Sequence, residues 1–403
     1  SRQIRDLEEE LGKRLLLRFG AVDYACEVYV NGRSAGAHTG GYTPFALDIT
    51  ELVAEGENDL CVRVRDPYDC TQPRGKQNWK DHWFGCWYTP TSGIWQSVYL
   101  EAAGSPYLLS AHVTPDIDAG TASLRLTLNE APVQPVSAKV TVSIEGKVFR
   151  AQTQTLTERS QRVLIDMVDG GDIQGFRKWS PDDPALYDVH IELDSGDDVT
   201  TYFGMRSVEV KDGYVLLNKQ PLYQRLVLDQ GYWPESLLTP PSDEAIRADI
   251  EWTKRFGYNG ARKHQKVEDP RYYYWADKMG LLVWGEIPSA YEFTNESIKN
   301  LSDTLAGFIE RDFNHPCIIT SVPLNESWGV DRIYRDKRMQ ACSDMLYAQA
   351  KALDGTRLVS SNDGWEVPKT DIFGLHDYAA WGDVLAKHFE SRERVEKISC
   401  DHH

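Results

Sequence analysis

The 403-residue sequence has few cysteines, and they are not arranged for pairing or for metal binding. Its seven cysteines are an odd number, and none stands in a CxxC pair or near histidines at metal-ligand spacing. Neither a disulfide framework nor a zinc site is therefore indicated, which favours a reducing compartment. We expect a cytoplasmic protein, or a secreted one if a signal precedes residue 1, because residues 1–10 are charged rather than signal-like.

Long hydrophobic runs and an excess of positive charge are also missing. No stretch of about 18 apolar residues occurs, so no transmembrane helix is predicted and no membrane partner is expected. The chain has 44 Lys and Arg against 61 Asp and Glu, a formal net charge of −17. This acidic balance argues against nucleic acid and anionic membranes as the main partners.

Aromatic residues, in contrast, are plentiful. The chain has 12 Trp and 20 Tyr. Flat aromatic rings suit the apolar faces of sugar rings, although most aromatic side chains in a protein of this size pack in its core. We take this composition as mild support for carbohydrate binding.

The length predicts two or three domains, and the first half of the sequence is typical of two β-sandwiches. Period-two alternation, as in residues 26–30 before the Asn31-Gly32 turn, predicts a jelly-roll-like sandwich over residues 1–104. Similar short strands predict an immunoglobulin-like sandwich over residues 105–211. This second region lacks the paired cysteines and central tryptophan of antibody domains, so only its architecture is inferred.

After Pro221 the pattern changes to short strands alternating with helices, which predicts parallel βα units and a TIM barrel over residues 212–403. Six strands are predicted, the last over residues 372–376. A complete barrel needs eight strands and about 250 residues, whereas about 180 residues follow Pro221. We therefore expect that the chain ends inside its barrel after about six strands and begins inside its first sandwich.

The predicted fourth barrel strand is the most informative segment. Residues 317–322 are apolar or small, as in a strand buried on both faces, and the strand leads into Asn325-Glu326 and then Trp328. Reactive groups of such barrels project from the C-terminal ends of the strands. Glu326 is therefore a candidate for sugar chemistry, and the alternative is a loop or helix-capping carboxylate.

Four segments in a fixed order resemble one known family. They are Phe19-Gly20-Ala21-Val22-Asp23-Tyr24 with Val30-Asn31-Gly32, Thr91-Ser92-Gly93-Ile94-Trp95-Gln96, Arg262-Lys263-His264, and Asn314-His315-Pro316 leading to Asn325-Glu326. With the order of the three domains, they resemble glycoside hydrolase family 2, the group of β-galactosidases, β-glucuronidases and β-mannosidases. The resemblance covers nearly the whole chain.

The resemblance implies a retaining exo-β-glycosidase that acts by double displacement, with Glu326 as the general acid/base. It implies that Asn325 binds the sugar 2-hydroxyl. For Arg262 a structural ion pair is an equal alternative, and Glu286 is either a subsite residue or the buried partner of Arg262. The full set of implied substrate-binding residues is Asn325, Asp229, Arg262, His264, Glu286, Trp328, His376 and Tyr378.

The second carboxylate of a retaining mechanism lies about 5 Å from the first. The resemblance implies a glutamate on strand seven in a Ser-Glu-Phe/Tyr-Gly context, which this sequence does not contain, so we expect the nucleophile beyond residue 403. Glu390, Glu393 and Glu396 lie in a charged stretch of helical spacing. We interpret them as the solvated face of a helix.

The substrate class follows from the resemblance alone. It favours β-galactosides, with β-glucuronides as the alternative sugar and a non-catalytic carbohydrate-binding protein as the alternative class. Acid/base hydrolysis requires no cofactor. The resemblance implies that some relatives hold Mg²⁺ or Na⁺, but no ligand cluster here is specific enough to predict a metal site. A carbohydrate is the expected partner, and the sequence neither favours nor opposes a homo-oligomer.

Overall fold

The computed structural model describes residues 13–82, 84–168 and 175–401. Two antiparallel β regions are followed by a region of parallel strands and helices, in the order that the sequence predicts. Residues 1–10, which the sequence predicts to be charged rather than signal-like, lie outside the described part of the chain.

The first region is a β-sandwich. Its main sheets have the strand orders β5-β1-β8 and β4-β3-β6, and β2 pairs with β7. Asn31 and Gly32 connect β3 to β4 with φ angles of 51° and 74°, the left-handed pair that a two-residue hairpin turn needs. Its eight strands are β1 (Arg14–Phe19), β2 (Val22–Asp23), β3 (Ala25–Val30), β4 (Arg33–Thr39), β5 (Phe45–Asp48), β6 (Leu60–Arg65), β7 (Gly93–Ile94) and β8 (Val98–Ala103).

The second region packs a three-stranded sheet, β13-β10-β9, against a four-stranded sheet, β12-β11-β14-β15. Alternate side chains point inward, so Leu124 and Leu126 of one sheet share a core with Val140 and Val142 of the other. Its strands are β9 (Leu108–Asp116), β10 (Thr121–Leu128), β11 (Val136–Ile144), β12 (Lys147–Leu156), β13 (Ser160–Asp166), β14 (Tyr187–Leu193) and β15 (Asp198–Phe203).

The third region contains five parallel strands, β19 to β23, hydrogen-bonded in chain order. One helix lies between each consecutive pair, and each of these helices begins at a capping side chain such as Ser242, which accepts a hydrogen bond from the Ala245 amide. Its elements are β16 (Val208–Lys211), β17 (Tyr214–Leu217), β18 (Gln220–Pro221), β19 (Leu226–Asp229), α1 (Asp243–Arg255), β20 (Gly260–Lys263), α2 (Pro270–Met279), β21 (Leu282–Glu286), α3 (Asn295–Arg311), β22 (Ile318–Val322), α4 (Lys337–Leu353), β23 (Leu358–Val359), α5 (Gly382–His388) and α6 (Arg392–Asp401).

The prediction of a sixth strand over residues 372–376 is wrong. The segment forms no strand, and the sheet ends at the two-residue strand β23. The amides of Asp371 and Ile372 bond back to the Val359 carbonyl, at 2.9 and 3.4 Å, and the chain then turns across the strand ends. An apolar run becomes a strand only where a neighbouring strand accepts its hydrogen bonds.

The charged stretch near residue 390 is solvated, as predicted. Glu393 and Glu396 lie exposed on α6, and Glu390 lies exposed just before it. Glu390 and Glu396 form ion pairs with Arg394 and Arg392, at 3.0 and 2.7 Å. None of these glutamates is placed for catalysis.

Buried polar contacts join both sandwiches to the barrel. In the first region the amides of Arg74 and Gly75 donate to the Ser289 carbonyl at 3.0 and 3.1 Å. After the second region, the buried guanidinium of Arg206 donates to the carbonyls of Pro316 and Ile318 at 2.8 and 3.0 Å. The loop before β7 is therefore held against the strand ends of the barrel. None of the described helices is long and apolar enough to cross a membrane.

Candidate active site

Glu326 lies in a tight turn just after β22, at the C-terminal end of the strand. Glu326 and Ser327 have φ angles of 49° and 56°, a left-handed conformation that non-glycine residues adopt rarely and mostly at functional sites. The turn is held by the neighbouring strand end, because the Glu326 amide donates to the Asp363 carbonyl and the Asp363 amide donates to the Leu324 carbonyl, both at 3.0 Å. The backbone therefore fixes the direction of the carboxylate.

Four side chains donate hydrogen bonds to the Glu326 carboxylate. Its Oε1 accepts from His376 Nδ1 at 2.7 Å and from the Tyr378 hydroxyl. Its Oε2 accepts from Trp328 Nε1 at 3.3 Å and from Asn325 Nδ2 at 3.4 Å. The structure thus brings together five of the residues that the sequence analysis singled out.

These contacts set the charges of the pair formed by Glu326 and His376. Burial alone would raise the pKa of Glu326, but the hydrogen bonds from His376 and Tyr378 outweigh it and lower the pKa to about 2. Burial would lower the pKa of His376, yet the bonds to Asp363 and Glu326 raise it to about 9. Since one ring nitrogen faces each carboxylate, both nitrogens must donate and the ring is charged.

Arg262 at the end of β20 forms the buried centre of the site. Its guanidinium donates to Glu286, Asp363 and Asn325. Burial opposes the charged form, but the two carboxylates outweigh it and raise the pKa of Arg262. Arg262 is therefore a buried ion-pair partner and also positions the amide of Asn325 beside Glu326, whereas its contact with a substrate stays a prediction.

Glu286 and His264 lie below this layer. Glu286 is 0% exposed and forms an ion pair with Arg262 at 2.7 Å, which matches the reading of Glu286 as a buried partner. His264 is also buried, with Nδ1 3.4 Å from Glu286 Oε1. In this conformation Glu286 cannot contact a substrate directly, so its role is to hold Arg262.

Asp229, at the end of β19, belongs to a different charge cluster. Its carboxylate accepts from Lys263 Nζ at 2.5 Å and from the Gly231 amide at 2.8 Å. Lys263 also pairs with the buried Glu268 at 2.8 Å. Within the described part of the chain, Asp229 forms no hydrogen bond or ion pair with Glu326 or Arg262, so its substrate role stays a prediction.

Sequence reasoning missed Asp363. This buried residue accepts hydrogen bonds from Arg262, from His376 Nε2 at 3.0 Å and from the Ser360 hydroxyl at 3.2 Å, and these contacts lower its pKa although burial opposes the change. The signal was present, because Asp363 follows the apolar residues of β23 as Glu326 follows β22. The same rule about strand ends would have selected it.

Gly364 leaves room for the His376 ring, and we expect Gly364→Ala to disturb the site. Its φ is +96°, and a Cβ atom there would collide with the His376 ring. Backbone strain of this kind costs about 1–3 kcal/mol, so the melting temperature should fall. The matched control is Gly382→Ala, since a Cβ at Gly382 meets nothing within 4 Å. Equal melting temperatures for the two variants would contradict this account.

An aromatic pocket of about 870 Å³ opens beside Glu326. Its walls come from two regions, since Trp79 and Trp87 belong to the first sandwich while Tyr291 and Trp328 belong to the barrel. Aromatic walls next to a carboxylate suit a carbohydrate. Among the described residues, no group of three or more His, Cys, Asp or Glu side chains could hold a metal ion.

Comparison with known families gives matches along nearly the whole chain. Residues 3–103 match the sugar binding domain of glycosyl hydrolases family 2, residues 107–206 match a second domain of glycosyl hydrolases family 2, and residues 208–398 match the TIM barrel domain of that family. The three matches follow one another in the order of the three structural regions.

Individual relatives carry two kinds of name. A β-galactosidase of Thermoanaerobacter pseudethanolicus is 28% identical over 386 residues, covering 92% of this chain and 49% of the relative. A putative β-glucuronidase of Formosa agariphila is 30% identical over 389 residues, covering 92% and 45%. The chain thus spans about half the length of these curated relatives.

Solved structures show the same fold. A putative β-galactosidase from Bacteroides fragilis aligns with a TM-score of 0.80 at 23% identity, covering 98% of this chain and 60% of that one. A β-glucuronidase from Parabacteroides merdae aligns with a TM-score of 0.79 at 22% identity, covering 95% and 50%. At these identities the likeness concerns the fold alone.

Proposed function

Because the chain belongs to glycosyl hydrolase family 2, we propose that the protein is a retaining exo-β-glycosidase with Glu326 as its general acid/base. The observation that carries the proposal is the Glu326 carboxylate, held at a strand end by four donors beside a sugar-sized pocket. We propose terminal β-galactosides as substrates, with β-glucuronides as the alternative suggested by the name of the Formosa agariphila relative.

In the proposed mechanism Glu326 must carry a proton when the glycosidic bond breaks. His376 supplies it, because its Nδ1–H points at Glu326 Oε1 over 2.7 Å. Transfer of this proton leaves a neutral carboxyl group and a neutral imidazole ring. The carboxyl group then protonates the leaving oxygen, and the resulting carboxylate later takes a proton from the attacking water.

The remaining residues position these groups. Arg262 holds Asn325, whose amide would meet the sugar 2-hydroxyl, and Asp363 holds His376 from its far side. We assign Asp363 to holding His376 rather than to attack on the sugar, because it accepts hydrogen bonds from Arg262, His376 and Ser360. The glycosyl-enzyme intermediate would form on a second carboxylate, which we propose lies beyond residue 403.

The test is hydrolysis of aryl β-galactoside and aryl β-glucuronide by the full-length protein that contains this chain. We expect one of the two to be cleaved, with a β-anomeric product in the first proton NMR spectra. An α-anomeric product would contradict the retaining mechanism. A protein that binds either sugar but cleaves neither would favour the non-catalytic alternative.

The shared proton predicts how the rate depends on pH. The pKa of His376 is raised from 6.5 to about 9. The ion pair with Glu326 therefore contributes its full stabilisation below about pH 6.5 and loses it as the pH rises through about 9. Above that pH the pair holds no proton to deliver, and kcat/KM should fall there. His376→Asn should lower kcat/KM and remove the fall near pH 9. An unchanged alkaline limb in this variant would show that another group controls it.

A further inference from the structure

The aromatic pocket beside Glu326 is a rigid, preformed site. Trp79 stacks on Tyr291 with ring centroids 4.1 Å apart, and Trp87 meets Trp328 edge to face at 5.4 Å. Trp87 Nε1 also donates to the Tyr291 hydroxyl at 2.8 Å. The Tyr291 amide donates to the Cys70 carbonyl at 2.8 Å, so the backbone fixes the loop that carries both indoles. The aromatic walls therefore need no rearrangement to receive a ligand.

The position of the pocket relative to Glu326 identifies the part of a substrate that would enter it. A general acid delivers its proton to the oxygen of the leaving group, so the leaving group must lie on the side of the acid. Glu326 and Trp328 both line the pocket, and Trp328 contacts Glu326 Oε2 at 3.3 Å. The sugar that is cleaved would lie on the other side, over Asn325 and Arg262.

The charge of the pocket restricts that leaving group further. Among the described residues that line the pocket, the titratable side chains besides tyrosines are the carboxylates Glu326, Asp331 and Glu366, and none is Lys or Arg. A negatively charged leaving group would bring like charges together at this lining. The nearby cations Lys76, Arg335 and Arg338 lie 5.1–5.5 Å from the ring centroids of Trp87, Tyr334 and Phe293 and are not among the lining residues. The walls instead offer flat apolar faces, which favour an uncharged ring.

We propose that this pocket is the leaving-group subsite, and that it selects an uncharged ring, either a neutral sugar or an aryl group, over an anionic one. The proposal rests on the hydrolase function proposed above and deepens it. It assigns the first sandwich a direct part in substrate selection, because Trp79 and Trp87 come from that region.

The first experiment compares two leaving groups in the full-length protein. Trp79→Ala should lower kcat/KM for an aryl glycoside about tenfold, because it removes a ring against which the aryl group would stack. It should leave the glycosyl fluoride almost unchanged, because fluoride is too small to reach Trp79. Trp252→Ala, which removes a half-exposed indole from α1 outside the pocket, is the matched control and should affect neither substrate.

The second experiment tests the charge. Wild-type protein should cleave a 4-carbamoylphenyl glycoside in preference to the 4-carboxyphenyl glycoside, and Asp331→Lys should shift the ratio toward the carboxylate about tenfold. The intrinsic reactivity of the two leaving groups cancels when the substrate ratio of Asp331→Lys is compared with that of wild type, because both proteins receive the same two substrates. Equal losses on aryl glycoside and fluoride in Trp79→Ala, or an unchanged ratio in Asp331→Lys, would overturn the subsite. Failure to cleave any donor, fluoride included, would instead overturn the hydrolase function and the subsite with it.

Discussion

Glu326→Gln should lower kcat on a β-glycoside with a poor leaving group by roughly 10²–10⁴-fold, the usual contribution of a general acid. The amide keeps the size of the side chain, but its N–H protons are not acidic enough to be transferred to the leaving group. The effect should shrink on substrates whose leaving groups need no protonation, such as dinitrophenyl glycosides. The measurement is steady-state kinetics on a series of aryl glycosides, where the variant should show a steeper dependence on leaving-group pKa than wild type.

Two further variants make this result specific. Glu326→Ala opens space beside the anomeric carbon, so azide should restore turnover on an activated substrate and give a β-glycosyl azide. Glu390→Gln is the matched control, because Glu390 is exposed near the C-terminal helix and lies outside the site. A Glu326→Gln protein that keeps wild-type rates on poor leaving groups would exclude Glu326 as the acid.

Arg262→Met should be the most destabilising single substitution in the site. It removes the 2.7 Å ion pair of Glu286, which is 0% exposed, and leaves that buried carboxylate with the longer contact to His264 at 3.4 Å. Breaking one partner of a buried pair costs about 3–5 kcal/mol. The measurement is chemical denaturation followed by tryptophan fluorescence. The quantity compared is the denaturant concentration at which the barrel unfolds.

Two control variants distinguish the loss of the buried ion pair from the general effect of removing an arginine. Arg63→Met removes an arginine whose side chain is 77% exposed and should change stability little. Arg262→Met combined with Glu286→Gln should recover part of the loss, because the double variant no longer buries an unpaired charge. If Arg262→Met unfolds at the same denaturant concentration as Arg63→Met, the network does not stabilise the barrel.

The sequence predicted those secondary-structure elements whose formation depends on residues within one segment. The Asn31-Gly32 turn and the strand before Glu326 were both found, because turn geometry and burial on both faces depend on residues adjacent in the sequence. The segment 372–376 was misread for the complementary reason. Its apolar residues have the composition of a strand, but whether a partner strand lies beside them is not encoded locally.

By itself, the sequence determined the order of the three regions, the position of Glu326 at a strand end, and the family. Tertiary structure decided the electrostatics of the site. His376 is 50 residues from Glu326 in the chain, and Trp87 is 204 residues from Tyr291, yet each pair is hydrogen-bonded. Such pairs depend on which strand ends share an edge of the barrel and on how the first sandwich packs against it. Hydrogen bonding and desolvation act over a few ångströms in space, whatever the separation along the chain.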